Sequence, residues 1–185
     1  MVKSVMLKKD FAESETAFVK KGVQYYHLRI NPVEKDGVVE CISAVLDHEP
    51  TQEDKDRLYG EYLALCKSVQ IAQVDSHDKS EAVNGFYIGD IHAWLDKATR
   101  VGLANSIAIE KAAGVTETTL YLNGVALTIG VEQAQQMLSA LELYALDCYR
   151  RTEQHKIAIS NLTKIEEVES YDYTTGYPEQ PRFAV

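Results

Sequence analysis

VEQAQQMLSALELYALDCYRRTEQHKIAISNL, residues Val131 to Leu162, decides how the rest of the chain is read. It holds neither proline nor glycine. Small or apolar residues recur at Ala134, Leu138, Leu141, Ala145 and Cys148, then at Ile159 and Leu162, with Thr152 and His155 keeping the same phase between them. That unbroken 4-3 spacing predicts one long helix with a narrow buried seam. At about 1.5 Å of rise per residue it reaches roughly 45 Å, longer than a compact domain of this size is wide. Part of it is therefore expected to pack against another helix or another copy of the chain.

Working outward, the residues just before the helix read TTLYL, Asn123-Gly124, VALTI. Two β-prone runs joined by Asn-Gly predict a hairpin, because a type I′ turn needs positive φ at both central residues. Further back, Asp90 is a good N-cap for a helix carrying Ile91, Trp94, Leu95, Ala98, Val101 and Ile107 at helical spacing, with Gly102 a possible break and Gly114 its end. Beyond the long helix, Thr163 with Glu166 has the form of a capping box opening a short helix. The tail YDYTTGYPEQPRFAV, with Gly176, Pro178 and Pro181, is expected to be extended and to lie along a surface.

The N-terminal part reads differently. A strand at Val5–Lys8 and a polar loop precede VQYYHLRI, whose alternation predicts a half-buried strand ended by Pro32. Asp36-Gly37 then turns the chain into VVECISAVL, completing a β-hairpin. Pro50-Thr51 opens a helix, with Thr51 and Asp54 spaced as a capping box and Leu58, Tyr59, Tyr62, Leu63 and Cys66 on its apolar face. SVQIAQV, residues 68–74, reads as a short strand, and DSHDKSEAVNG as a polar boundary loop. The fold class is α+β: an N-terminal module over 1–74 and a helix–hairpin–long-helix module over 75–185.

Composition bounds the function. The 185 residues carry a formal net charge of −9, with 45% hydrophobic and 25% charged residues, values of an ordinary globular chain. Such an acidic chain does not attract a phosphate backbone, so no nucleic-acid partner is expected. No membrane span or signal peptide is expected, nor a disulfide framework from Cys41, Cys66 and Cys148. The expected location is the cytoplasm of a bacterial host, or a virion.

Asp75, His77 and Asp78, with Asp90 and His92 further on, are weak candidates for a metal site, since carboxylates and imidazoles are the usual ligands of divalent ions. A metal-dependent hydrolase is the alternative they would support; short polar residues also cluster in loops for their own hydrogen bonding. Tyr144, Tyr149, Tyr171, Tyr173 and Tyr177 could form a small-ligand or carbohydrate surface, or cover a core edge. Arg150-Arg151 could bind a phosphate, but beside Glu142, Asp147 and Glu153 the pair reads as solvated. Cys148, Thr152 and His155 lie on the seam and form the candidate interface, a polar layer able to fix the register of a self-association, the other reading being that His155 is a satisfied histidine near the edge of the packed surface. No catalytic residue and no cofactor is expected, and the chain is read as a non-enzyme.

The motifs from residue 75 onward carry a resemblance. They run D-S-x-x-x-S-x-x-V-N-x-F from Asp75, W-L-x-x-x-T-R from Trp94, L-N-G-x-x-L-x-I from Leu122, L-E-x-Y-A-x-D-C-Y-x-x-T-x-x-H from Leu141, and E-E-V-E-S-Y-D-Y-x-x-G-Y-P from Glu166. This order resembles a phage and prophage protein group of Bacteroidales, and more loosely the C-terminal domain of phage tail-fibre and tail-assembly proteins. The resemblance implies a structural or assembly protein that meets another copy of itself or another phage structural protein.

Overall fold

The computed structural model describes residues 2–184. Helices and strands are both well represented, so the chain is α+β. It divides into two compact units, one of residues 1–70 with 161–171 and the other of 71–160 with 172–185. The chain thus returns to the first unit after leaving it, where a single boundary at 74 was expected.

In the first unit, β1 (Val2–Leu7), β2 (Ser14–Lys20), β3 (Val23–Lys35) and β4 (Val38–Leu46) form an antiparallel sheet of order β1-β4-β3-β2. Two tight turns close its hairpins. Lys21-Gly22 and Asp36-Gly37 both have positive φ at each central residue, the geometry that matches the twist of the flanking strands. The polar loop expected after the first strand is largely strand β2, which sequence alternation alone did not mark. Pro32 does not end β3. The register shifts between Ile30 and Val33, and Asn31 takes a φ of 51°, so the proline sits in a bulge where no ladder N–H is required.

One face of this sheet carries Leu28, Ile30 and Ile42, packed with Leu58 and Ile165. Leu58 comes from helix α1 (Gln52–Asp78) and Ile165 from a short helix, Ile165–Glu169. The capping box of α1 forms as expected: the Thr51 N–H donates to Asp54 Oδ2 at 3.0 Å, and the Asp54 N–H to Thr51 Oγ1 at 3.2 Å. The Thr51 hydroxyl, which donates to Asp54 Oδ2 at 2.7 Å, then the Thr51 N–H and the Arg57 guanidinium hold the Asp54 carboxyl well below the usual carboxylate range.

Residues 68–74 are helical, not a strand. SVQIAQV has the β-branched content of a strand, yet its buried positions are Gln70 and Val74, four apart, which is a helical period. The expected loop at 75–78 is likewise the last turn of α1. The second expected capping box does not form. Lys164 is the N-cap of the Ile165–Glu169 helix with no side-chain bond, and Glu166 accepts instead from Asn31 Nδ2 at 2.9 Å.

In the second unit, β5 (Phe86–Ile88) and β6 (Ile91–Ala93) form a hairpin. Helix α2 (Lys97–Ala112) follows, then β7 (Glu117–Leu122), β8 (Val125–Gly130) and α3 (Val131–Asn161). With the helix Ile165–Glu169 as α4, the last element is β9 (Arg182–Phe183), which adds to β5 in parallel. The Asn123-Gly124 turn has φ of 49° and 81°, as a type I′ turn requires. The N-cap of α2 is Asp96, which accepts the Thr99 N–H at 2.8 Å, and not Asp90, which stands in the β5–β6 turn. Gly102 leaves α2 unbroken. Phe86, Ile107, Leu120, Ile129, Leu138 and Leu141 are central to one apolar core.

Candidate functional site

Helix α3 was read as an over-long element with a seam, and its seam is buried. Val131, Ala134, Met137, Leu138, Leu141, Tyr144, Cys148, Thr152, His155 and Ile159 are its buried positions. The burial follows the true helical period and so takes Tyr144 where the strict heptad gave Ala145. Up to Leu141 the seam is apolar core. Beyond it the seam turns polar, and other segments of the same unit close over it.

Three bonded side chains form the centre. Thr152 Oγ1 donates to Asp78 Oδ1 at 2.7 Å and stands 3.0 Å from the Tyr177 hydroxyl, which with that proton committed is the donor to Thr152. The Tyr177 ring lies between two imidazoles. It is stacked on His155 at 5.7 Å between centroids and meets His77 edge-on at 5.1 Å. His155 Nε2 lies 3.0 Å from the Thr175 carbonyl, so that nitrogen carries the proton. Arg151 Nε donates to the same carbonyl at 3.0 Å. Gly176 takes a φ of 79°, a conformation that side-chain-bearing residues rarely adopt, and a Cβ there would also displace the flexible Arg151 guanidinium. One turn earlier, the Tyr144 hydroxyl donates to the Val83 carbonyl at 2.6 Å beside Cys148.

The residues expected to meet another chain are therefore occupied at home. Cys148, Thr152 and His155 are 5%, 2% and 1% exposed. The C-terminal tail reaches back over them, bringing Tyr177 into the seam. The expectation that this layer faces another copy is corrected by that burial. It also settles where Tyr177 goes: its ring is held in the seam and is not free as a ligand platform. Burial pushes the Cys148 thiol up, so it stays protonated and is no activated nucleophile.

The metal candidates separate. Asp75 pairs with Lys156 Nζ at 2.6 Å, Asp78 serves Thr152, and His77 faces Tyr173 and Tyr177. Asp90 and His92 sit at the β5–β6 hairpin, with His92 against the Tyr87 ring. Among the described residues, no three His, Cys, Asp or Glu side chains converge as a ligand set.

His155 gives the seam a pH dependence. Burial is the main cause that holds its imidazole below the ordinary value; Arg151 and His77 push the same way, while the Thr175 carbonyl and Asp172 oppose them. The folded state binds the proton more weakly than the unfolded chain. Its stabilising contribution is complete above the unfolded value of about 6.5 and is lost as pH falls through the lower folded value. Urea unfolding followed by the fluorescence of Trp94, the one tryptophan, should show stability falling as pH drops below about 6.5. In His155→Gln that part of the slope should vanish, and an unchanged slope would show that another group titrates.

Two further features escaped the sequence reading. The first unit holds a cavity of about 340 Å³ whose lining includes Lys3, Asn31, Glu40, Tyr62, Glu166 and Glu169. Lys3 Nζ stands 3.2 Å from Glu169 and 4.0 Å from Glu40, and the Glu169 bond raises its pKa. These residues come from five elements, so no local pattern joins them. The second feature lies on the outer face of α3. Leu143, Leu146 and Tyr149 are 64%, 41% and 60% exposed, with the two leucines on the side away from the seam and Tyr149 on its flank. A 4-3 search finds the buried seam and passes over a second, shorter apolar stripe on the same helix.

No protein-family model, no curated protein and no solved structure matches this chain.

Proposed function

We propose that this chain is a non-enzymatic, phage- or prophage-derived structural or tail-assembly protein that works by protein–protein contact and self-association, in the host cytoplasm or in a virion. The observation that carries this reading is the outer stripe of α3. Large apolar side chains at Leu143, Leu146 and Tyr149 stand together in solvent on a rigid helix, and a grouped apolar surface is the usual mark of a contact site. The motif order from Asp75 onward, with its resemblance to phage tail-assembly domains, supports the same class. The site moves from the seam to the opposite face of the helix, because the chain's own tail covers the seam.

Light scattering over a concentration series should show the mass of two chains as the limit. Leu146→Glu, which places a charge in the middle of the stripe without touching the core, should shift the population to one chain and weaken association at least tenfold. A strict monomer at millimolar concentration in the unaltered protein would overturn the self-association part of this reading.

A further inference from the structure

We propose that two copies pair through the outer face of α3 in an antiparallel sense, about a two-fold axis passing at Leu146. The proposal rests on the self-association reading above and adds its partner, orientation and register. At about 100° of rotation per residue, Ser139, Leu143, Leu146, Arg150, Glu153 and Ile157 fall on one side of the helix, with Glu142 and Tyr149 on its flank. All eight lie within the same compact unit.

The distribution of residue types about Leu146 selects the occupant. Leu143 and Tyr149 stand three residues to either side, and Glu142 and Arg150 four residues to either side. A two-fold axis at Leu146 therefore sets Leu146 against Leu146, Leu143 against Tyr149, and Glu142 against Arg150, each of the last two pairs occurring twice. One step further out, Ser139, whose hydroxyl donates to the Gln135 carbonyl at 2.8 Å, stands opposite Glu153, which pairs with Lys156 of its own helix at 3.1 Å. The charges that flank the apolar centre, Glu142 and Arg150, then each face an opposite charge. An in-register parallel pair would instead oppose Glu142 to Glu142, Arg150 to Arg150 and Glu153 to Glu153, a like-charge arrangement that costs affinity. A second copy of this chain satisfies the pattern without further assumption, because self-complementary spacing is what an isologous contact requires.

The groups concerned are available. Arg150 pairs only along its own helix in the bonds seen, with Asp147 at 3.0 Å, and its side chain is 62% exposed. Glu142 holds Arg100 through Oε1 at 2.7 Å yet keeps a side chain 44% exposed. The apolar centre is short, so the dimer is weak and its charge pairs govern register and salt dependence more than affinity.

Cysteine pairing reads the geometry directly. In a Cys66→Ser background, Leu146→Cys should form a disulfide-linked dimer under mild oxidant at least tenfold faster than Ile109→Cys, a position on α2 that is 70% exposed and measures random collision. Leu143→Cys alone should not link, whereas a mixture of Leu143→Cys and Tyr149→Cys should. Arg150→Glu should weaken the unlinked dimer about tenfold at low salt and by much less at high salt. Linking of Leu143→Cys to itself would overturn the antiparallel register while leaving self-association standing. Equal rates at positions 146 and 109, with dimer still present by light scattering, would place the contact elsewhere and overturn the proposal alone. Equal rates with a monomer throughout would overturn both this proposal and the reading beneath it.

Discussion

Tyr177→Ala is expected to destabilise the second unit by about 2–4 kcal/mol, and Tyr177→Phe by only about 1 kcal/mol. The larger effect comes from the ring. It fills the space between His77 and His155, at 5.1 and 5.7 Å, and its removal opens a polar seam whose Thr152 and His155 are almost fully buried. The smaller effect comes from the hydroxyl, which gives its proton to Thr152. Losing it leaves Thr152 still bonded to Asp78, so one of two bonds survives. Because Tyr177 lies on the tail, the Ala variant should also free the segment from Asp172 onward to proteolysis. Trp94 lies in the same unit and its ring stands 6.3 Å from that of Tyr144, so its fluorescence follows this transition. A Tyr177→Ala protein within about 0.5 kcal/mol of the unaltered one would show that the tail does not hold the seam.

The parts of this fold legible in sequence were those whose cause is local. Asn123-Gly124 demands positive φ at both residues and made a hairpin; the proline- and glycine-free run from Val131 made a helix of 31 residues. The misreadings arose where a distant segment decides. SVQIAQV is β-prone in isolation, and only its burial period of four shows it continuing α1. Asp90 and Asp96 are equally good caps by type. The chain chose Asp96 because residues 91–93 pair with β5, which in turn takes β9 from the far end of the sequence. The seam illustrates the same limit at the candidate site. Its polar layer was visible at Cys148, Thr152 and His155, but nothing local says what covers it. The cover is Tyr177, delivered by a backbone bend at Gly176 whose φ of 79° side-chain-bearing residues rarely adopt. A covered seam then redirects attention to the face left open.

Glu142→Ala is expected to cost about 2–4 kcal/mol, more than Arg100→Met, which should cost about 1–2 kcal/mol. The two residues form one pair but sit in unequal surroundings. The Arg100 side chain is 5% exposed, with Nη1 donating to the Leu95 carbonyl at 2.6 Å and the guanidinium 5.0 Å from the Trp94 ring centre. The Glu142 side chain is 44% exposed. Removing the carboxylate strands a charge in the interior, where its desolvation has no remaining compensation beyond one carbonyl and a ring face. Removing the guanidinium in favour of methionine leaves a carboxylate that water can reach, a stem that still packs on Trp94, and one carbonyl without its donor. The double variant should therefore resemble Arg100→Met alone, with a coupling of at least about 1 kcal/mol between the sites. Equilibrium unfolding of the four proteins at one low protein concentration measures this without interference from dimer formation. Additive losses would show that Glu142 and Arg100 act independently and that the charge at Arg100 is satisfied without its partner. They would also leave Glu142 uncommitted within its own chain, free to meet Arg150 of a second copy with both of its oxygens.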